Sequence, residues 1–171
     1  EGLVQVYTGD GKGKTTAALG LGLRAAGNGL KVLIVQFVKG RETGELHAVK
    51  AFGERFRIKQ FGAGRFIIGR PPTADELLQA KEALEYATAE MNAGRADLLI
   101  LDEISHAVNT GLVNLADLRK LITNRPRTVE IVLTGRNMPR ELLELSDLIS
   151  EIRAVKHPFA AGKPARRGIE Y

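Results

Sequence analysis

An α/β fold, with a parallel sheet covered by helices on both faces, is expected for this chain of 171 residues. Three features predict it. Strand-like apolar runs alternate with helix-like stretches along the whole length. Residues 32–35 (Val-Leu-Ile-Val) and 98–101 (Leu-Leu-Ile-Leu) are continuously apolar, as in strands buried on both faces. A glycine-rich turn joins the first strand directly to the first helix.

Taken in order, residues 3–7 read as a short strand, mostly apolar and rich in valine. Residues 15–26 are helical and apolar on most sides, which suggests a helix laid against a sheet, and Gly27 and Gly29 stop it. Residues 31–37 form a second strand and 57–61 a third. Pro71 and Pro72 then precede a capping box, Thr73 with Glu76. Leu77, Ala80, Leu84, Ala87 and Met91 follow at spacings of three and four and trace one apolar helix face, which Gly94 closes. Residues 97–101 are a buried strand leading into Asp102 and Glu103. Leu115, Leu118, Leu121 and Ile122 mark a short helix ending before Pro126. Residues 129–133 form a further strand, Pro139 suits the first turn of the next helix, and 148–155 read as the last strand. Loops are expected at 39–45, at 62–72 and after Lys156. Alternation of this kind implies right-handed crossovers, and places ligands beyond the carboxyl ends of the strands.

Composition narrows the class. Hydrophobic residues make up 44% and charged residues 26%, as in a soluble globular protein, and the length suits one domain over 1–171. The apolar runs are far too short to span a bilayer, and no leader for secretion is read at the start. Cysteine is absent, which excludes disulfides and thiolate metal sites and fits a reducing compartment. With 25 Lys and Arg against 20 Asp and Glu, the formal charge of +5 favours anionic partners. Lys156, Lys163, Arg166 and Arg167 form a basic tail with no acid among them.

The chemistry concentrates at 8–16, Thr8-Gly9-Asp10-Gly11-Lys12-Gly13-Lys14-Thr15-Thr16. This fits the phosphate-loop pattern, except that Thr8 stands where its first glycine would be. Gly9, Gly11 and Gly13 let successive backbone N–H groups turn toward one anion, and the helix start adds partial positive charge. Lys14 can reach phosphate oxygens, Thr15 is placed to ligate Mg²⁺, and Lys12 supplies a second cation for a highly charged polyphosphate. Asp102 and Glu103 leave a buried strand at the same sheet edge, where Asp102 can orient the metal or its waters and Glu103 can touch metal or activate a water. Arg136, after Thr134-Gly135, can neutralise charge on a leaving phosphate. Gln36, Phe37 and Lys39 leave the second strand on that side too. The three histidines, His47, His106 and His157, lack metal-ligand spacing and read as loop or core residues. These residues define an ATP-binding α/β domain and leave kinase, ATPase motor and nucleotidyl or adenosyl transfer open.

The sequence resembles the ATP:corrinoid adenosyltransferases of cobalamin biosynthesis and salvage, over essentially its whole length. The likeness rests on the phosphate loop continued through Ala17-Ala18-Leu19-Gly20, on Arg24-Ala25, on Gln36-Phe37-Val38-Lys39-Gly40 and on Leu101-Asp102-Glu103. It continues through Arg125-Pro126, Leu133-Thr134-Gly135-Arg136 and Ser146-Asp147-Leu148, and ends in Lys156-His157-Pro158-Phe159 and Ala165-Arg166-Arg167-Gly168-Ile169-Glu170.

The resemblance implies a RecA-like phosphate-loop fold and a transferase that moves the 5′-deoxyadenosyl group of ATP to the Co(I) of a reduced corrinoid, releasing triphosphate. It implies Lys14, Glu103 and Arg136 as catalytic residues. Gly9, Asp10, Gly11, Lys12, Gly13, Lys14, Thr15, Thr16, Gln36, Lys39, Phe66 and Arg166 would bind the substrates, and Thr15, Asp102 and Glu103 would hold Mg²⁺. Because attack falls on C5′, no hydrolytic water is needed, so Glu103 is assigned to metal rather than to base work. The family's nucleotide lies in the loop with reversed polarity, so the usual phosphate-by-phosphate assignment does not carry over. A homodimer, a reduced flavoprotein electron donor and a cytoplasmic location are implied as well, with neither membrane nor nucleic acid as partner. The sequence departs from the family at 62–68, where relatives often have Trp and this chain has Phe66 and no Trp.

The main alternative is a RecA-like ATPase binding nucleic acid, with Glu103 as base and the basic tail on phosphates. Against it, aromatic residues are only 5% of the chain and no basic stripe is interleaved with them. A small-molecule kinase would need an acceptor-activating Asp beyond the Asp102-Glu103 pair.

Overall fold

The structure is a computed structural model that describes residues 1–38, 40, 42–62, 64, 66–157, 162 and 164–169. Its strands are β1 (Val4–Thr8), β2 (Val32–Gln36), β3 (Phe56–Gln60), β4 (Leu98–Asp102), β5 (Glu130–Thr134) and β6 (Leu148–Glu151). The helices are α1 (Lys14–Gly27), α2 (Gly44–Ala48), α3 (Ala74–Asn92), α4 (Ile104–Asn109), α5 (Leu115–Thr123) and α6 (Arg140–Leu143), with a 3-10 segment at Val49–Arg55.

The six strands form one sheet in the order β3-β2-β4-β5-β1-β6, and every neighbouring pair is parallel. The continuously apolar runs take the inner positions, as their composition requires: all five residues of β2 and of β4 are buried. Alternation along these strands divides the core in two. Val32, Ile34, Leu98, Ile100 and Val132 pack beneath α1 and the 3-10 segment, with Ala18, Ala25 and Phe56. Leu33, Val35, Leu99, Leu101, Ile131 and Leu133 pack on the opposite face against α3, α4 and α5. Helices therefore cover both faces, as the sequence predicts.

The capping box is present: Thr73 Oγ1 accepts from the Glu76 N–H at 3.3 Å, and Glu76 Oε2 accepts from the Thr73 N–H at 2.8 Å. Pro139 sits one residue before α6, at its N-cap. Three elements differ from expectation. The segment α2 with its 3-10 continuation falls where no element was expected, because α2 is five residues long and buries none of them, so it leaves no periodic signal. The six-residue α4 is likewise too short for a period to show. Finally, β6 stops at Glu151 rather than at 155. Beyond it the chain stays tied to the phosphate loop: the Ile152 N–H donates to Thr8 O at 2.8 Å, and Ile152 O accepts from the Gly11 N–H at 2.8 Å.

In a parallel sheet all strands end on one edge. Here β1 ends at Thr8, β2 at Gln36, β4 at Asp102 and β5 at Thr134, and the register pairs Gln36 with Asp102. The chemistry-bearing residues of the sequence thus meet at one edge.

Candidate nucleotide-binding site

The phosphate loop runs from Thr8 to the start of α1 at Lys14. Its glycines are needed for specific reasons. Gly9 has φ 100° and Gly13 φ 125°, a region that residues bearing a Cβ rarely enter. A side chain on Gly9 would also strike the carbonyl of Ile152, so the loop is packed tightly against the chain leaving β6.

Lys14 is folded over this loop, 6% exposed, and its Nζ donates to Gly9 O at 2.8 Å and to Gly11 O at 2.7 Å. An ammonium carries three N–H donors, so two carbonyls do not exhaust it. Burial, and next the nearby Arg136 charge, hold Lys14 below the ordinary lysine value. Two cations brought together in this way favour an anion between them.

Behind the loop lies a buried network centred on Asp102, which is fully enclosed. Its Oδ1 accepts from Thr15 Oγ1 at 2.8 Å and from Thr134 Oγ1 at 2.7 Å, and its Oδ2 accepts from Gln36 Nε2 at 3.0 Å. Gln60 Nε2 donates to Gln36 Oε1 at 3.0 Å, and Thr134 Oγ1 also accepts from the Glu103 N–H at 3.0 Å. Glu103 itself has φ 59° and ψ 28°, a left-handed conformation at the N-cap of α4. After β5 the chain turns at Gly135, φ 141°, where any Cβ would collide with Ser105 Oγ. That turn brings Arg136 to the site, and Ser105 Oγ donates to Arg136 O at 2.6 Å.

The resulting cavity has a volume of 840 Å³. Its floor is Gly11, Lys12, Gly13, Lys14, Thr15 and Thr16, with Glu103 and Arg136 beside them. Phe66, on the 62–72 connection, lines it as well. The structure therefore brings together most of the residues singled out in the sequence. Gly9 and Asp10 belong to the loop but not to the cavity wall, and Asp10 Oδ1 accepts from the Ala154 N–H at 3.3 Å. Gln36 and Asp102 stand behind the wall within the buried network, and Arg166 is exposed and off the wall. Lys39 lies outside the described residues, as do Pro158, Phe159, Lys163 and Glu170.

Sequence reasoning missed part of the wall. His106 and His157, taken from the sequence as loop or core residues, both line the cavity, whereas His47 pairs with Glu42 at 3.2 Å away from it. Ile68, Asn109, Asn137 and Ile169 also contribute, and Lys12 Nζ donates to Ile169 O at 3.4 Å. His106 had one legible signal: it is three residues beyond Glu103, one helical turn from a residue already placed at the site.

A parallel sheet with a phosphate loop after its first strand and a carboxylate network at the same edge defines a RecA-like α/β nucleotide-binding protein. The fold agrees with a solved structure, the KaiC-like protein PH0186 from Pyrococcus horikoshii, at a TM-score of 0.57 and 17% identity, covering 90% of this chain and 72% of that one. Over residues 1–171 the sequence matches the family described as ATP:corrinoid adenosyltransferase BtuR/CobO/CobP, and the chain belongs to that family. Among its relatives are the corrinoid adenosyltransferase of Escherichia coli K12, 36% identical over 99% of this chain and 86% of that one, and that of a Sinorhizobium species, 36% identical over 100% and 81%. Corrinoid adenosyltransferase CobA of Salmonella typhimurium is 33% identical over 99% and 86%.

Proposed function

We propose that this chain acts as one phosphate-loop domain that binds ATP with Mg²⁺ and transfers its 5′-deoxyadenosyl group to the Co(I) of a reduced corrinoid. The Co–C5′ bond forms as the C5′–O bond breaks, triphosphate leaves with that electron pair, and cobalt gives up two electrons. The observation that carries the reading is the convergence of Lys14, Arg136 and Thr15 on one cavity, with Thr15 held from behind by Asp102.

The triphosphate must depart as one piece, so the protein's task is to hold and neutralise it. Loop N–H groups, Lys12 and Lys14 grip it from below, and Arg136 meets it from β5. The donor set suits Mg²⁺. Among the described residues no group of three His, Cys, Asp or Glu side chains is arranged to hold a metal ion. A hard cation held here would take its remaining ligands from phosphate oxygens and water, as Mg²⁺ usually does. Thr15 Oγ1 donates its hydrogen bond to Asp102, which leaves its lone pairs free to face outward. Thr15 would ligate Mg²⁺ directly, Asp102 would act by orienting Thr15, and Glu103 on the cavity wall would hold the metal or its waters. When bound, Mg²⁺ supplies charge neutralisation at the departing triphosphate. A cavity of 840 Å³ accommodates a nucleotide, so the larger corrin ring sits at its mouth, beside Phe66 and Ile68. There the apolar side chains exclude water and orient cobalt toward C5′.

The family likeness supports three finer features of this reading: a homodimer, a reduced flavoprotein as electron donor, and a cytoplasmic location. The absence of cysteine is in keeping with the last. Among the described residues no helix is long and apolar enough to cross a membrane.

The test mixes protein, Mg²⁺ and ATP with chemically reduced corrinoid in the dark. A light-sensitive alkyl-cobalt spectrum with stoichiometric triphosphate is expected. Robust ADP formation without corrinoid would overturn the reading.

A further inference from the structure

One contact in the cavity wall is unrelated to phosphate. His106, on the third residue of α4, accepts the backbone N–H of Ile67 through Nε2 at 3.2 Å. Its ring meets Phe66 edge-on, with centroids 4.9 Å apart and planes at 87°. The segment it holds, 66–68, belongs to no helix or strand. Ile67 turns inward, 6% exposed, while Phe66 and Ile68 stand 54% and 83% exposed on the cavity wall. Two large apolar side chains held open to solvent at a ligand site are a surface that awaits an apolar partner. An acceptor at Nε2 requires a neutral imidazole with its proton on Nδ1. The burial that lowers the His106 pKa keeps it in that form.

We propose that His106 is a positioning residue for the corrinoid substrate: its bond to Ile67 and its contact with Phe66 fix the 66–68 segment as the apolar wall against which the corrin ring packs. The inference rests on the transferase reading above. It also gives α4 a double role. Glu103 is the N-cap of this helix, on the side where the transferase reading puts the triphosphate, and His106 lies in its first turn, so one element carries a residue for each substrate. A side chain without an acceptor at position 106 leaves the Ile67 N–H unpaired in a buried position, and the wall loses its anchor.

The test separates the two substrates. His106→Phe keeps an aromatic ring but removes the acceptor; His106→Gln keeps an acceptor. The Phe variant is expected to raise the KM for corrinoid about tenfold, the equivalent of one lost hydrogen bond, while the KM for ATP stays within about twofold. The Gln variant should recover most of that loss. Phe66→Ala, which alters an exposed side chain and spares the core, should raise the corrinoid KM by a similar factor, and adding it to His106→Phe should have little further effect. Binding of a fluorescent ATP analogue reports folding of each variant independently of turnover.

An unchanged corrinoid KM in His106→Phe, a parallel rise in both KM values, or full additivity with Phe66→Ala overturns the proposal. If His106→Phe does not fold, failure of His106→Gln to keep a near-normal corrinoid KM, or an unchanged one in Phe66→Ala, overturns it instead. A wild-type protein that forms no alkyl-cobalt product overturns the functional reading and this proposal together. An active wild type with indifferent variants overturns this proposal alone.

Discussion

Thr15 and Asp102, 87 positions apart in sequence, share a hydrogen bond of 2.8 Å in which the hydroxyl donates and the carboxylate accepts. The direction matters. A hydroxyl that donates its proton inward presents lone pairs outward, toward the loop to which the proposed function assigns phosphate and metal.

Thr15→Val keeps the shape of the side chain and removes both functions of the oxygen. It is expected to lower kcat for alkyl-cobalt formation by about 10²–10³-fold, the usual scale for deleting one preorganised electrostatic partner. Thr15→Ser should retain most activity. Equal rates for wild type and Thr15→Val at saturating ATP and Mg²⁺ would remove Thr15 from the site.

Lys14→Ala is expected to abolish measurable turnover, because the ammonium ties Gly9 to Gly11 and, in the proposed function, grips the triphosphate. Lys14→Arg should not rescue it. A guanidinium has a fixed planar fork, whereas this ammonium reaches two carbonyls of one tight loop from different directions. Near-normal activity in Lys14→Ala would remove Lys14 from the phosphate site, and near-normal activity in Lys14→Arg would show that a guanidinium meets the same need.

Much of this site was legible in the sequence because its residues sit at strand ends and loop glycines, positions that follow directly from the strand–helix alternation. Lys14, Thr15, Asp102, Glu103 and Arg136 all fall at one sheet edge, as expected. The wall contributed by His157 and Ile169 was not legible, and His106 showed only through its spacing from Glu103. This wall is built by tertiary approach of segments too short or irregular to show a period, such as α4 and the tail. Gln36 illustrates the reverse. Its strand-end position marked it as a site residue, but only three dimensions show that its amide turns to Asp102 and Gln60.

Gly135 tests the turn that delivers Arg136. Gly135→Ala introduces a Cβ onto Ser105 Oγ at a φ of 141°, so a loss of about 1–3 kcal/mol is expected. Adding Ser105→Ala should recover only part of it, since the backbone conformation stays unfavourable. Thermal melts of the single and double variants decide the matter; an unaltered midpoint in Gly135→Ala would mean that the turn is not as tight as described.

Glu90 ties α3 to the edge strand β3. It receives Arg95 Nη2 at 2.7 Å and Arg57 Nη1 at 2.6 Å, and hydrogen bonding, first from Arg95 and then from Arg57, holds its carboxyl at about 2. The folded value lies below the unfolded one, so the charged form is favoured by folding. That stabilisation is complete above the ordinary glutamate value near 4.5 and is lost as pH falls toward 2. Glu90→Gln should therefore destabilise the protein at pH 7, by about 1–3 kcal/mol, and flatten its acid-unfolding curve. Identical stability of variant and wild type between pH 5 and 7 would contradict this role.

Glu103 combines a left-handed backbone, φ 59°, with a place on the cavity wall. A residue bearing a full side chain pays about 1 kcal/mol or more to stay there, and asparagine tolerates the conformation better than most. Glu103→Asn is thus expected to leave stability unchanged or raise it slightly, while turnover falls and half-saturation shifts to higher Mg²⁺. Opposite movement of the two measurements is the signature of strain retained for a carboxylate at that point. If stability and activity fall together, the conformation serves the fold; if the Mg²⁺ titration is normal, the carboxylate does not reach the metal.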